Sequence, residues 1–133
     1  MNEHLVNQLK MEEGLTPYQA FAEADRCLLC YDAPCSKGCI GNTDPGTFIR
    51  KLKLRNIKGA IATIKSNNIL GGVCGALCPT SDLCVKECSA TSIDRPIQIG
   101  KLQRFLLEYG WKLNFNPVLK TKTRGIKIAV VGS

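Results

Sequence analysis

Eight cysteines in two groups of four constrain this chain more than any other feature of its 133 residues. The first group has the spacing C-x2-C-x4-C-x3-C, the second has C-x3-C-x5-C-x3-C, and 34 residues separate them. In order they are Cys27, Cys30, Cys35, Cys39, Cys74, Cys78, Cys84 and Cys88. Thiolates at such short intervals allow a single loop to wrap a metal centre, because they are soft ligands that suit iron–sulfur clusters, zinc or copper(I). The pattern therefore predicts a metal-binding domain.

The start of the chain indicates the compartment in which these thiols work. Residues 1–4 lack the basic and apolar stretches of a secretory signal. Without an export signal, a cytoplasmic and reducing setting is expected, where thiols bind metal or do chemistry more often than they form disulfides. No apolar run approaches the roughly 20 residues that span a bilayer, so we expect no membrane association.

Spacing alone leaves more than one metal open. A [4Fe–4S] cube takes four ligands, so eight cysteines could satisfy two cubes. Zinc usually takes paired cysteines from two separate knuckles, which two groups of four fit less well without excluding it. The run C-x2-C-x2-C-x3-C-P of small bacterial ferredoxins is absent. Sequence order would place residues 27–39 round one cluster and residues 74–88 round the other, but spacing does not establish that partition.

The formal net charge of +7 raises the question of a nucleic-acid partner. Aromatic residues make up 6% of the chain, and the lysines show no interleaved pattern of Tyr or Phe suited to base stacking. We therefore expect no nucleic-acid partner. The sequence also contains no arrangement of nucleophile and base, and no pair of carboxylates, that predicts a catalytic residue.

Helix-start signals predict four or five short helices and almost no strand before residue 126. Each signal is a capping side chain or a proline ahead of apolar residues at helical spacing. The predicted starts are Thr16-Pro17, Asp44-Pro45, Asn56, a short turn near Thr80, and a longer amphipathic helix after Pro96. Gly71-Gly72 is expected to end the helix that begins after Asn56.

Residues 126–133 favour a different kind of structure. They read as a buried strand of the parallel type, followed by Gly132 as the first glycine of a loop. A lone apolar strand would expose an unpaired edge, so we expect a further domain to begin here. The predicted organisation is a helical domain that carries both cysteine groups over residues 1–113, a linker over 114–125 and the start of the next domain over 126–133. One glycine of a possible dinucleotide-binding G-x-G-x-x-G is by itself weak support for what that domain binds.

Two segments resemble the N-terminal iron–sulfur domain of dihydropyrimidine dehydrogenases. They are RCLLCYDAPCSKGC at 26–39 and CGALCPTSDLCVKEC at 74–88, and PIQIGKLQR follows at 96–104. The chain looks most like the electron-input subunit of the bacterial NAD-dependent form, and the resemblance covers about residues 15–133. The small subunit of glutamate synthase shares the architecture and is the alternative, although TSDLC at 80–84 favours the pyrimidine enzymes. A zinc-stabilised interaction module is the alternative from another class.

The resemblance implies a mainly α, helical ferredoxin-type fold with two [4Fe–4S] clusters whose ligand sets are interleaved along the chain. Carried over, one cluster takes Cys27, Cys30, Cys35 and Cys88, and the other takes Cys39, Cys78, Cys84 and the amide oxygen of Gln103. Cys74 is then left as a thiol that does not ligate. Ile40 stands where the family commonly has proline after the fourth cysteine, while Cys78-Pro79 keeps that feature.

The same resemblance implies an electron-transfer role within an NAD(P)-dependent oxidoreductase. It implies that residues 126–133 are the first strand of a truncated dinucleotide-binding domain, in which FAD and NAD(P) would bind, with Gly132 as a cofactor-binding residue at its start. The clusters would relay electrons between that FAD and a flavin-containing catalytic subunit or domain, in an enzyme expected to be oligomeric. No substrate chemistry is expected within residues 1–133.

Overall fold

The computed structural model describes residues 13–118, 125–129 and 131–132. In these residues there are six α-helices, two 3₁₀ turns and no strand, which confirms the prediction of a mainly α domain. The helices are α1 (Pro17–Asp25), α2 (Pro34–Lys37), α3 (Pro45–Lys53), α4 (Ile57–Asn67), α5 (Gly71–Leu77) and α6 (Ile99–Lys112). The 3₁₀ turns span Thr80–Asp82 and Ser89–Ser92.

The predicted helix starts are confirmed, and at α1, α3 and α4 a side chain satisfies a free backbone N–H. At α1 the Gln19 N–H donates to Thr16 Oγ1 (3.3 Å), while the Thr16 N–H donates to Gln19 Oε1 (2.9 Å). Asp44 accepts from the Thr47 N–H (3.3 Å) at α3, and Asn56 accepts from the Gly59 N–H (2.9 Å) at α4. Local capping chemistry therefore sets where these helices begin.

The prediction for Gly71-Gly72 is wrong. α4 ends at Asn67, and the two glycines are the first residues of α5. Small residues are needed here because α5 lies against α6 with almost no space between the backbones. A Cβ on Gly75 would stand 2.7 Å from the Arg104 backbone nitrogen and 3.0 Å from the Gly100 carbonyl oxygen. Gly75 therefore allows the close packing of α5 on α6, and Gly71 and Gly72 begin a helix rather than end one.

The core lies between the apolar faces of the longer helices. α3 packs on α4, α4 on α6, and α5 on α6. Phe48, Leu52, Ile64 and Leu106 are completely buried in this core. Most cysteines lie outside it, in loops or at helix ends, and the loops at residues 26–44 and 78–98 contain little regular structure. The helices therefore form a scaffold for two irregular cysteine-bearing segments.

The predicted strand at residue 126 is not observed in residues 126–129. A strand needs a neighbouring strand to form its hydrogen-bond ladder, and the described residues contain none. Residues 119–124, 130 and 133, which include half of the predicted linker, lie outside the described residues. None of the helices in the described residues has both the length and the apolar character needed to cross a membrane.

Candidate metal centres

Four cysteines that are far apart in sequence line the first of two cavities. Cys27 follows α1, Cys30 lies in the next loop, Cys35 is on α2, and Cys88 directly precedes the second 3₁₀ turn. Apolar residues complete the walls, among them Ile49, Ile97 and Ile99. The cavity therefore joins the first cysteine segment to the end of the second.

The second cavity is lined by four cysteines and two amide side chains. The cysteines are Cys39, Cys74, Cys78 and Cys84, and the amides are Gln103 on α6 and Asn68, which directly follows α4. Cys74 lies within α5 and Cys78 caps its end, so the close packing of α5 on α6 is what brings both cysteines beside Gln103. Every cysteine and amide that the family resemblance assigns as a ligand thus lines one of the two cavities, in the grouping that it implies.

The two cavities are neighbours because the chain alternates between them. Cys35 and Cys39 line different cavities, as do Cys84 and Cys88, and each pair is four residues apart. Four residues of even fully extended chain span at most about 14 Å. The negative charge on the Cys84 thiolate is also close enough to contribute to raising the pKa of Cys35 across the boundary. Electrons could pass between groups held at this separation without leaving the domain.

Burial controls the protonation of these thiols. It raises the pKa of Cys35 to about 11 and that of Cys84 to about 11, and it also raises the pKa of Cys27 and of Cys78. Neighbouring cysteines add to the effect, since Cys27 and Cys88 raise the pKa of Cys35. Without metal these side chains are neutral at pH 7, so a metal centre must displace protons when it binds.

Gln103 is a buried amide with a fixed orientation. Its side chain is 4% exposed, and Nε2 donates to the Gly71 carbonyl oxygen at 2.6 Å. Because a carbonyl only accepts, the nitrogen must face Gly71 and the amide oxygen must point elsewhere. This arrangement leaves the amide oxygen of Gln103, which can coordinate a metal, on a side chain that lines the second cavity.

Cys74 is the additional thiol at the second cavity. The Asn68 Nδ2 donates to its sulfur at 3.3 Å. Burial is the main cause of the raised pKa of Cys78, and Cys74 is the next largest cause. The four cysteines and Gln103 thus exceed the four ligands of one cube by one. A ligand sulfur can also accept a hydrogen bond, so the contact with Asn68 does not distinguish a ligand from a neighbouring thiol, and the place of Cys74 beside the cluster stays a prediction.

Three further residues next to the cysteines were missed by the sequence reasoning. The Thr43 hydroxyl lies 3.0 Å from the sulfur of Cys39. Lys53 Nζ donates to the carbonyl oxygens of Asp25 and Cys27, both at 2.9 Å. Glu23, 5% exposed, accepts from Arg26, Arg95 and the backbone N–H of Gln98. None carries a motif. The Thr43 contact is local, whereas Lys53 and Glu23 are recognisable only from contacts with residues distant in sequence.

The backbone of the first cysteine segment is itself unusual. Four residues that are not glycine have positive φ here, namely Leu29 (56°), Ala33 (40°), Asn42 (50°) and Asp44 (55°). Left-handed backbone is unfavourable for side chains with a Cβ and persists where the surroundings determine it. Such strain is typical of segments that wrap a ligand.

The arrangement differs from a mononuclear metal site. Within the described ranges, no three His, Cys, Asp or Glu side chains come close enough together to hold one metal ion. All eight cysteines, every one in the described part of the chain, are free thiols. Gly132, the predicted cofactor-binding residue, has φ of 89° and is not one of the residues that line these two cavities.

The fold and its two cavities define a class: a small helical domain that carries paired, thiol-lined sites for a metal centre. Comparison with known proteins then gives the family. The family model of dihydropyrimidine dehydrogenase domain II with its 4Fe-4S cluster matches residues 5–115. The chain belongs to this family, and it is a ferredoxin-type 4Fe-4S domain.

Curated relatives agree with this assignment. The NAD-dependent dihydropyrimidine dehydrogenase subunit PreT of Salmonella typhimurium is 47% identical over 125 residues, which are 93% of this chain and 30% of that protein. PreT of Escherichia coli K12 is 46% identical over the same shares. The chain thus spans about 30% of the length of these relatives. These relatives are named as subunits of an oxidoreductase, and they favour neither the glutamate synthase alternative nor the zinc module.

Proposed function

We propose that this domain holds two [4Fe–4S] clusters, one in each cavity, and serves as an electron relay within a flavin-dependent NAD(P)H oxidoreductase. The observation that carries the proposal is the lining of the cavities. One has Cys27, Cys30, Cys35 and Cys88 on its walls, and the other has Cys39, Cys78, Cys84 and Gln103 together with Cys74. Four soft thiolates at the first cavity, and three thiolates with one amide oxygen at the second, give each cavity one ligand for each of the four iron atoms of a cube.

Bound clusters of this kind supply one-electron acceptance and donation. The protein contributes ligands, burial and charge. The buried thiols Cys35 and Cys84 must lose their protons to ligate, because burial raises their pKa to about 11 in the metal-free protein. Burial raises the pKa of Cys27, and the positive charge of Lys53 lowers it by a smaller amount. Lys53 therefore favours the thiolate form of Cys27 at the first cavity.

Gln103 makes the second cavity electrically different from the first. A neutral amide oxygen in place of a thiolate gives that centre one negative charge fewer. The hydrogen bond from Gln103 Nε2 to the Gly71 carbonyl holds the amide with its oxygen available. Two neighbouring centres of unequal charge have unequal reduction potentials, which suits a directed relay.

The remaining parts of the proposal lie outside the helical domain. FAD and NAD(P) bind in a module that begins at about residue 126, with Gly132 in its first loop. Its φ of 89° is a conformation that glycine adopts readily, as a phosphate-binding loop requires. Electrons pass between that FAD and a flavin-containing catalytic partner, where a pyrimidine ring is reduced or a dihydropyrimidine oxidised. No residue of this domain takes part in substrate chemistry.

The rims of both cavities support contact with other protein surface. Leu28 and Leu29, which line the first cavity, are 47% and 41% exposed, and Ile40 at the second is 80% exposed. Apolar side chains exposed beside a redox site favour close approach of an electron donor or acceptor.

The test is the metal content of the 133-residue chain, purified without oxygen. We expect about eight iron and about eight acid-labile sulfide per chain, with a brown colour that dithionite bleaches. One or two zinc ions and no colour would contradict the relay and support a structural zinc module. About four iron would contradict the assignment of a cluster to each cavity.

A second experiment addresses the substrate class. The full-length protein, assayed with its partner subunit and NADH, is expected to reduce uracil and to leave glutamine plus 2-oxoglutarate unchanged. The opposite result would assign the domain to an enzyme like glutamate synthase.

A further inference from the structure

We propose that the Thr43 hydroxyl donates a hydrogen bond to the sulfur of Cys39 and thereby raises the reduction potential of the centre at the second cavity. The proposal rests on the proposed function, because it requires Cys39 to be a cluster ligand. It assigns Thr43 the role of a tuning residue, which neither the family match nor the names of the relatives provide.

The geometry supplies the first argument. Thr43 Oγ1 lies 3.0 Å from Cys39 Sγ, a short distance for a contact between oxygen and sulfur. Thr43 is 1% exposed and lines the second cavity, so water does not compete for its hydroxyl. A buried hydroxyl needs a partner, and the sulfur provides one.

The chemistry of ligation fixes the direction of the hydrogen bond. In the metal-free protein either the thiol or the hydroxyl could donate. A cysteine that binds iron is a thiolate, which has lone pairs but no proton. The proton of the bond must then belong to Thr43, and the hydroxyl donates to the sulfur.

The backbone holds Thr43 in this position without using its hydroxyl. The flanking residues Asn42 and Asp44 both have positive φ, at 50° and 55°. The Asp44 carboxylate accepts from the Ser36 hydroxyl at 2.8 Å and from the Thr47 N–H at 3.3 Å. Removing the Thr43 hydroxyl should therefore leave the loop in place.

The first cavity provides an internal comparison. There the sulfur of Cys88 accepts from the backbone N–H of Ile97 at 3.4 Å. Thr43 lines the second cavity and not the first, so a change at Thr43 should act on the centre at the second cavity. A hydrogen bond to a ligand sulfur stabilises the more negative, reduced state, so its loss lowers the potential.

The experiment compares Thr43→Val, which has the same shape without the hydroxyl, with Thr43→Ser, which keeps it. Both are made in the 133-residue chain, purified without oxygen and analysed for iron, sulfide and reduction midpoints by a redox titration followed by electron paramagnetic resonance. We expect full iron content in both variants. In Thr43→Val one of two midpoints moves to a more negative potential and the other stays, while Thr43→Ser matches the native chain.

The outcomes separate this proposal from the function on which it rests. A native chain without iron and sulfide contradicts the proposed function itself. Two loaded clusters with both midpoints unchanged in Thr43→Val, or with both moved equally, overturn the role of Thr43. If Thr43→Val does not load, Thr43→Ala is measured in its place, and the same shift is expected. If neither loads while Thr43→Ser does, the hydroxyl serves assembly, and the tuning role is overturned.

Discussion

At the residue scale, Cys74 and Gln103 compete for one role, because both line the second cavity and one cube needs a single ligand beyond Cys39, Cys78 and Cys84. Cys74 accepts a hydrogen bond from Asn68 at 3.3 Å, which a ligand sulfur can also do. Gln103 is 4% exposed and presents an oxygen held by its bond to Gly71, and this orientation favours Gln103 as the ligand, in agreement with the family resemblance.

We therefore expect Cys74→Ala to keep about eight iron per chain and Gln103→Ala to keep about half of that. Iron and sulfide analysis of the two variants, purified side by side without oxygen, makes the measurement. Cys30→Ala is the positive control, because it removes a cysteine from the first cavity and should also halve the iron. Loss of a cube in Cys74→Ala together with full iron in Gln103→Ala would reverse the assignment.

Glu23 is a residue whose importance is visible only in three dimensions. It lies at 5% exposure and accepts from Arg26 at 2.8 Å and from the Gln98 N–H at 3.0 Å, which ties α1 to the loop ahead of α6. The adjacent Ile97 N–H donates to Cys88. Glu23 therefore positions the segment around Ile97, which lines the first cavity.

Replacing Glu23 by Ala leaves the partly buried Gln98 N–H and the Arg26 guanidinium without this carboxylate, so we expect a loss of about 2 kcal/mol in the free energy of unfolding. Chemical denaturation of the holoprotein under anaerobic conditions measures it. Arg95→Ala is the matched control, since Arg95 contacts the same carboxylate at 3.4 Å but is 60% exposed. That change should cost less than about 1 kcal/mol. Equal effects of both variants would argue against a positioning role for Glu23.

At the element scale, the packing of α5 on α6 decides whether Gln103 reaches the second cavity. Gly75→Ala places a methyl group 2.7 Å from the backbone nitrogen of Arg104 and must push the helices apart. We expect it to destabilise the protein by about 2 kcal/mol and to lower the iron content by up to half. Thermal unfolding and iron analysis together make the measurement.

Gly72→Ala is the control on the same helix. The nearest atom to its added Cβ would be in the Trp111 ring at 3.3 Å, and Trp111 is 61% exposed and free to move aside. Because alanine is the better helix former by up to about 1 kcal/mol, this variant should be neutral or slightly stabilised with full iron. A Gly75→Ala variant with native stability and iron would show that the close approach does not position Gln103.

The helices show which features can be predicted from sequence. α1, α3 and α4 begin at Thr16, Asp44 and Asn56, because a capping side chain acts on an N–H three residues away and the information is local. α5 was missed because Gly71-Gly72 has the local signature of a break, and its helical state depends on packing against α6. Local signals cannot include a contact with residues about 30 positions further on.

In the candidate site too, the sequence predicts the local features and misses those that depend on contacts between distant segments. The spacing of the cysteines predicts metal binding, but it gives the grouping in sequence order, with Cys39 beside Cys35. The cavities instead group Cys35 with Cys88, and Cys39 with Cys84, because the second cysteine segment folds over the first. That grouping came from the family resemblance and not from spacing. Thr43 has no sequence signal, since nothing distinguishes a tuning hydroxyl from any other threonine.

At the scale of the whole molecule, metal and core stabilise different parts of the domain. Phe48, Leu52, Ile64 and Leu106 make an apolar core among α3, α4 and α6 that needs no metal. The segments 26–44 and 78–98 contain two 3₁₀ turns and the four-residue α2, with four left-handed residues in the first. The structure of these two segments must therefore depend largely on metal bound by the cysteines that they contribute to both cavities.

We therefore expect removal of the clusters by chelator and oxidant to affect these two segments first. Hydrogen exchange measured by mass spectrometry should show lost protection in 26–44 and 78–98, while α3, α4 and the centre of α6 stay protected. Reconstitution with iron and sulfide should restore protection, which separates metal loss from irreversible damage. Removal should also proceed faster at pH 6 than at pH 8, because protons compete for thiols whose pKa burial raises to about 11 at Cys35 and Cys84. Uniform loss of protection across all helices would contradict a metal-independent core, and unchanged protection in both cysteine segments would contradict their dependence on the clusters.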